Sequence, residues 1–277
     1  MNKPITPLSE NPSAAIIKSM LFIALFIILL VAGSFLQNLS PFPFLRSKFI
    51  YGTIGVIAGL LSVWLFQKKE NLPIIAAIGL KWERKTPLRF IYGLLIGTAI
   101  FMFIMFVLLS CTHLSIRYSP KTFSIQSLSL YAALVPLALM EEIGFRTYPQ
   151  IKLNSACGIW VSQFIVAICF GVYHILNGWN IQIAFYGPFV WAFVFGLAAL
   201  WSGGIAMPTG IHLALNILQN LAGLKGSKAA LWTISYPQGG AKTFMENPDH
   251  IGLVLQGIVL ISALILTGWY KNRNIKA

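Results

Sequence analysis

Residues 130–146, LYAALVPLALMEEIGFR, run from an apolar stretch, Leu130–Met140, straight into two adjacent carboxylates, Glu141 and Glu142, and close on Arg146. An apolar run of this kind spans a bilayer or fills a soluble core, and the rest of the chain decides between the two. Of 277 residues, 57% are hydrophobic and only 10% are charged, with a mean hydropathy of +0.77. Soluble domains carry about a quarter charged residues, so this chain meets lipid. The composition excludes a soluble enzyme and a nucleic-acid binder, and the net charge of +13 calls for a membrane explanation.

A helix crossing the hydrocarbon core needs about 20 mostly apolar residues. Eight stretches qualify, near 15–36, 49–67, 89–110, 127–147, 157–177, 181–201, 204–223 and 250–270. The expected fold is therefore all-α and polytopic, with three N-terminal spans in 1–124, a polar-bearing core in 125–223, and a long loop plus the last span in 224–277. Under an N-inside arrangement, Lys3, Lys18, Lys68, Lys69, Lys81, Arg84, Lys85, Arg89, Arg146, Lys152, Lys271, Arg273 and Lys276 fall inside. That is thirteen of the twenty basic residues. Arg46, Lys48, Arg117, Lys121, Lys225, Lys228 and Lys242 fall outside. This bias follows the positive-inside rule and predicts cytoplasmic termini in a plasma-membrane protein. The apolar run of the first span exceeds the 7–15 residues of a signal h-region, so it reads as a retained span.

The 68–89 loop mixes basic residues with Leu72, Ile74, Ile75, Ile78 and Trp82, which suits either a segment lying on the anionic inner leaflet or a solvated loop. Residues 224–249, with Gly239-Gly240, read as one long exterior loop. Cys111, Cys157 and Cys169 are odd in number and lack CxxC spacing, so neither a disulfide framework nor a zinc site is expected, and all three are expected to be buried.

Five of the seven acidic residues (Glu10, Glu70, Glu83, Glu246, Asp249) lie outside the apolar segments, which leaves Glu141 and Glu142. Each ionised carboxylate in a span costs at least about 2.5–3.5 kcal/mol. Glu142 and Arg146 stand at i, i+4 in the favourable order, whereas Glu141 is rotated about 100° away and stays unpaired. A partly desolvated, unpaired carboxylate suits a general base; the alternative is that both glutamates mark a helix end at the interface. His174 ends an aromatic-rich span one turn after Phe170. His212 and Asn216 share a face of the seventh span, and such residues otherwise serve as helix–helix hydrogen bonds. Pro136 and Pro208 are expected to kink their helices, which is tolerated at membrane depth where backbone lines a wet cavity.

Glu141-Glu142-Ile143-Gly144-Phe145-Arg146 fits EExxxR, Phe170-Gly171-Val172-Tyr173-His174 fits FxxxH, and His212-Leu213-Ala214-Leu215-Asn216 fits HxxxN. In this order, on successive spans, they resemble the CAAX protease and bacteriocin-processing (Abi) family of intramembrane proteases, over roughly residues 125–223. The resemblance implies an endopeptidase acting on a peptide or a membrane-anchored protein. By the same resemblance, Glu141 and His174 would activate the attacking water, while His212 and Asn216 would hold the oxyanion. Glu142, Arg146 and Phe170 would support them. The family has also been described as metallo-endopeptidases, in which case Glu141, His174 and His212 would bind Zn²⁺; Asn216 is a poor zinc ligand. A carboxylate base with an oxyanion hole uses all four groups without a metal and is the favoured reading. A non-proteolytic scaffold or immunity protein and, less favoured, a transporter remain as alternatives.

Cleavage is expected near the cytoplasmic face, with one difficulty. A rise of 1.5 Å per residue puts Glu141 and His212 about 12 Å from that face but His174 about 25 Å. Helix tilt, or residues 150–162 lying partly along the interface, would have to close the gap.

Overall fold

The computed structural model describes residues 11–70, 79–119, 125–225, 229–236, 243 and 246–275. Helices α1 (Pro12–Leu39), α2 (Lys48–Glu70), α3 (Thr86–Cys111), α4 (Ile125–Arg146), α5 (Tyr148–Leu176), α6 (Ile181–Tyr186), α7 (Pro188–Ser202), α8 (Ala206–Leu221) and α9 (Pro248–Ile275) account for most of it. Residues 71–78, Gly239-Gly240 and Lys3, Glu10, Lys121, Lys228, Lys242 and Lys276 lie outside the described residues, so the surface-lying reading of the 68–89 loop does too.

Six helical stretches among the described residues are long and apolar enough to cross a membrane. One of them, Ser127–Leu176, is 50 residues long and holds both α4 and α5. The stretch 204–223 is not among the six, because α8 has only 16 residues. The stretch 181–201 is broken at Gly187 into α6 and α7. The protein is thus an integral membrane protein of mainly helical architecture, with six candidate spans among the described residues, one of which joins two of the eight expected stretches. It is not purely helical. Strand β1 (Ser115–Tyr118) pairs antiparallel with β2 (Trp232–Ser235), Ser115 opposite Ser235, so the expected long loop is stapled to the end of α3. Cys111 is exposed, and Cys157 and Cys169 are only partly buried, contrary to the expectation for them.

The helix ends follow local chemistry. Asn11 accepts a hydrogen bond from the Ser13 amide and Pro12 occupies the first turn, which starts α1. Gly203, at φ 71°, ends α7 in the left-handed conformation that favours glycine. Pro136 lies inside α4, but Pro208 falls in the first turn of α8, where no intrahelical bond is lost. The expected kink there does not arise.

Helix α4 is central and touches α1, α2, α5, α7 and α8. Two glycine seams set the helices that matter. On α2, a Cβ at Gly52 would come within 2.8 Å of the Leu137 amide nitrogen, and one at Gly59 within 2.7 Å of the Ile143 side chain. On α3, Gly93 and Gly97 face the Met207 and Ile211 carbonyls of α8. Close approach through small residues four apart replaces the hydrophobic drive that lipid does not supply, and it holds Glu141 and His212 on backbones that cannot easily shift.

Candidate active site

Arg146 is not at a membrane surface. It is buried, as are residues 147–150, so α4 ends inside the protein. The chain continues through a helical arm from Tyr148 to Cys157, whose Sγ reaches the Pro12 carbonyl at 3.7 Å. Gly158, at φ 82°, then turns it back, a conformation that costs an L residue about 1–2 kcal/mol. The arms lie side by side, because Ser162 Oγ donates to the Gln150 carbonyl at 2.8 Å. Gln150 Nε2 and Gln163 Nε2 donate to the Gly196 and Phe193 carbonyls and tie both arms to α7.

This fold-back closes the depth gap. From Gly158, Glu141 is about 26 Å away through the arm and α4, and His174 is about 24 Å away along the second limb, at 1.5 Å per residue. Glu141 Oε2 lies 4.0 Å from His174 Nε2 and 3.7 Å from His212 Nε2. The residues singled out in the sequence are brought together, though farther from the Pro12 end of the bundle than expected.

The ring tautomers follow from the partners. His174 Nδ1 donates to the Phe170 carbonyl at 2.8 Å, and His212 Nδ1 donates to Glu142 Oε1 at 2.9 Å, because neither oxygen can donate. With each Nδ1 engaged, both rings turn their Nε2 atoms toward Glu141. A water bridging Glu141 Oε2 to either Nε2 would lie within hydrogen-bond reach of both atoms it joins.

Glu142 is fully buried and Arg146 nearly so, with 3.4 Å between Oε2 and Nε. The i, i+4 pair read from the sequence is present, and Glu142 also holds His212. The Arg146 guanidinium lies over Phe170, 4.9 Å from the ring centroid, and over Phe195 at 6.0 Å. Phe195 stacks on the His212 ring at 4.7 Å, while Phe170 and Trp179 meet the His174 ring edge-on at 4.7 and 5.1 Å. Neither Phe195 nor Trp179 stands out in the sequence, since each lies in an ordinary aromatic stretch.

Lys225 was also missed. Its Nζ donates to Asn216 Oδ1 at 2.7 Å. An ammonium has donors only, so it fixes the carboxamide with its oxygen toward Lys225 and leaves the Nδ2 hydrogens for the cavity. Lys225 lies beyond α8. Loss of solvent around its ammonium lowers its pKa from the ordinary lysine value, Glu141 raises it and Lys48 lowers it again.

All of these side chains except Glu142 and Arg146 line one cavity of about 940 Å³ with apolar walls that include Leu137, Trp191 and Leu215. Its rim carries Lys48 at the start of α2, Trp179 between α5 and α6, and Leu224 and Lys225 after α8. The helix directions put these at the end of the bundle opposite Pro12, Thr86 and the last turn of α9. The mouth is therefore at the end of the bundle opposite the one at which cleavage was expected. Among the described residues, no three His, Cys, Asp or Glu side chains are grouped so as to hold a metal ion.

The family model for Type II CAAX prenyl endopeptidase Rce1-like proteins matches residues 121–218. No curated protein matches the chain. The matched segment carries α4 to α8 up to Leu218 and includes Glu141, Glu142, Arg146, Phe170, His174, Phe195, His212 and Asn216. Over that segment, the chain is similar to the CAAX prenyl endopeptidase family.

Proposed function

We propose that the protein is an intramembrane endopeptidase that uses Glu141 as general base. The observation that carries this reading is the convergence of Glu141 Oε2 with His174 Nε2 and His212 Nε2 at 4.0 and 3.7 Å on the floor of a cavity large enough for a peptide segment. Glu141 takes a proton from a water whose second O–H is held by the His174 Nε2 lone pair, and the water oxygen adds to the scissile carbonyl carbon. The resulting oxyanion meets the Asn216 Nδ2 hydrogens and the Nε2–H of His212, which enters the cycle as an imidazolium paired with Glu142 and leaves it with both protons in place. The proton on Glu141 passes to the departing amide nitrogen, the C–N bond breaks and the carboxylate is regenerated. Glu142 and Arg146 are positioning residues that hold the His212 ring from behind.

The cycle routes no step through a metal. Asn216, which it uses, is a poor zinc ligand. The substrate class is a peptide or a membrane-anchored polypeptide.

The test is a peptide-library assay of the purified protein and its Glu141→Ala, His174→Ala, His212→Ala and Asn216→Ala variants, with and without chelator. Loss of a positioned base lowers the rate about 10²–10⁴-fold, so Glu141→Ala should abolish detectable cleavage in a protein that still folds. Unchanged cleavage by Glu141→Ala would sink the proposal and favour a scaffold, and loss of cleavage with chelator would overturn the metal-free cycle.

A further inference from the structure

We infer that the cavity opens to the non-cytoplasmic face, so that its substrate is a polypeptide segment on that side: an exported peptide or the exterior part of a membrane protein. The substrate half of this inference rests on the proteolytic reading above; the placement of the mouth does not.

Two independent observations meet here. The first is the direction of the helices around the cavity. Lys48 opens α2, Pro188 opens α7, Trp179 follows α5 and Lys225 follows α8, and all four line the cavity. Every one of these ends lies away from the end where α1 and α3 begin and α9 finishes. Glu141 packs level with the α2 segment around Gly55 and Gly59, about 10–16 Å below the Lys48 end and about 17–22 Å above the Glu70 end at 1.5 Å per residue. The reacting groups therefore sit in the half of the bundle nearer the mouth.

The second observation is the charge at the two ends. Arg146 and Lys152 are buried, so they say nothing about sidedness. Removing them leaves, among the described residues, nine basic residues toward the Pro12 end (Lys18, Lys68, Lys69, Lys81, Arg84, Lys85, Arg89, Lys271 and Arg273) against four toward the mouth end (Arg46, Lys48, Arg117 and Lys225). The dense cluster Lys81, Arg84, Lys85 and Arg89 lies just before and within the first turn of α3. Basic residues in short loops and near span ends stay on the cytoplasmic side. The cluster anchors that end inside and turns the cavity mouth outward. A peptide enters past Trp179 and Lys225 without having to cross the bilayer first.

Cysteine accessibility tests the sidedness without relying on activity. In a variant with Cys111, Cys157 and Cys169 changed to Ser, single Phe44→Cys and Leu224→Cys substitutions mark the mouth end, and Trp82→Cys marks the basic end; all three positions are exposed. A membrane-impermeant maleimide added to intact cells should label the first two at least about tenfold faster than Trp82→Cys, which should react only after permeabilisation. The reverse order, or equal labelling of both ends, overturns the inference. Sealed proteoliposomes of known orientation then receive an impermeant quenched fluorogenic peptide library on one side. Cleavage when the mouth end faces the peptide supports the inference, and cleavage only when the basic end faces it overturns the inference. If neither orientation cleaves, the proteolytic reading and the substrate half fall, while the labelling result still decides where the mouth lies.

Discussion

Glu142 Oε1 accepts a hydrogen bond from His212 Nδ1 at 2.9 Å, joining α4 to α8 across 70 residues of chain. The carboxylate that Arg146 neutralises through its other oxygen thus sets the tautomer and the aim of the imidazole facing Glu141. Outer partners of a working histidine fix ring orientation in this way and are costly to lose.

Glu142→Gln should therefore lower kcat by about 10–100-fold, the range seen for outer-sphere partners of ligand histidines. KM should change little, because the Glu142 side chain does not line the cavity. Steady-state kinetics on any cleaved library peptide check the split.

Arg146→Met leaves the fully buried Glu142 carboxylate without its cation. Breaking a buried pair from one side costs about 3–5 kcal/mol, so thermal unfolding in detergent should show a large loss of stability. The double variant Glu142→Leu/Arg146→Met should recover much of that stability and remain inactive, because His212 has lost its acceptor. Recovery of activity with stability would refute the positioning role.

Lys225→Met should reduce kcat by freeing the Asn216 carboxamide to rotate. The wild-type ammonium sheds its proton at lower pH than an ordinary lysine, so the charge-assisted bond to Asn216 Oδ1 weakens as pH rises through that value. The wild type should accordingly lose activity on the alkaline side. Lys225→Met, already lacking the bond, should show a flatter alkaline limb, which a pH–rate profile of both proteins tests.

Gly97→Leu places a Cβ within 2.7 Å of the Ile211 carbonyl and 2.9 Å of Ala214 Cβ, and backbone cannot yield cheaply. Overpacking costs about 1–3 kcal/mol or more, and activity should fall with it, since His212 follows Ile211. Gly252→Ala on α9, whose Cβ would meet nothing within 4 Å, should leave both unchanged.

Much of this was legible in the sequence. The Glu142–Arg146 pair follows from i, i+4 spacing, and most spans agree with the helices to within a few residues, because both are local properties. What escaped depends on distance along the chain. Nothing near Glu142 announces His212, and nothing near Asn216 marks Lys225 as its partner. The strand pair β1–β2 joins two segments too short to read alone. Sequence alone places Arg146 at the interface, whereas Phe170, Phe195 and Glu142 bury it and Gly158 carries the turn to the surface instead.

The order of these parts along the chain bears on how the protein is made. Glu142 and Arg146 lie on the same helix, so α4 can enter the bilayer during synthesis with its charges already offsetting each other. Chains emerge N-terminus first, and Glu141 is present long before His212 and Asn216 arrive on α8. Until that helix docks against Gly93 and Gly97, Glu141 faces the His174 ring of α5 alone and the cavity lacks His212 and Asn216. The proposed site is thus incomplete in every product that stops short of α8, a consequence of helix order alone.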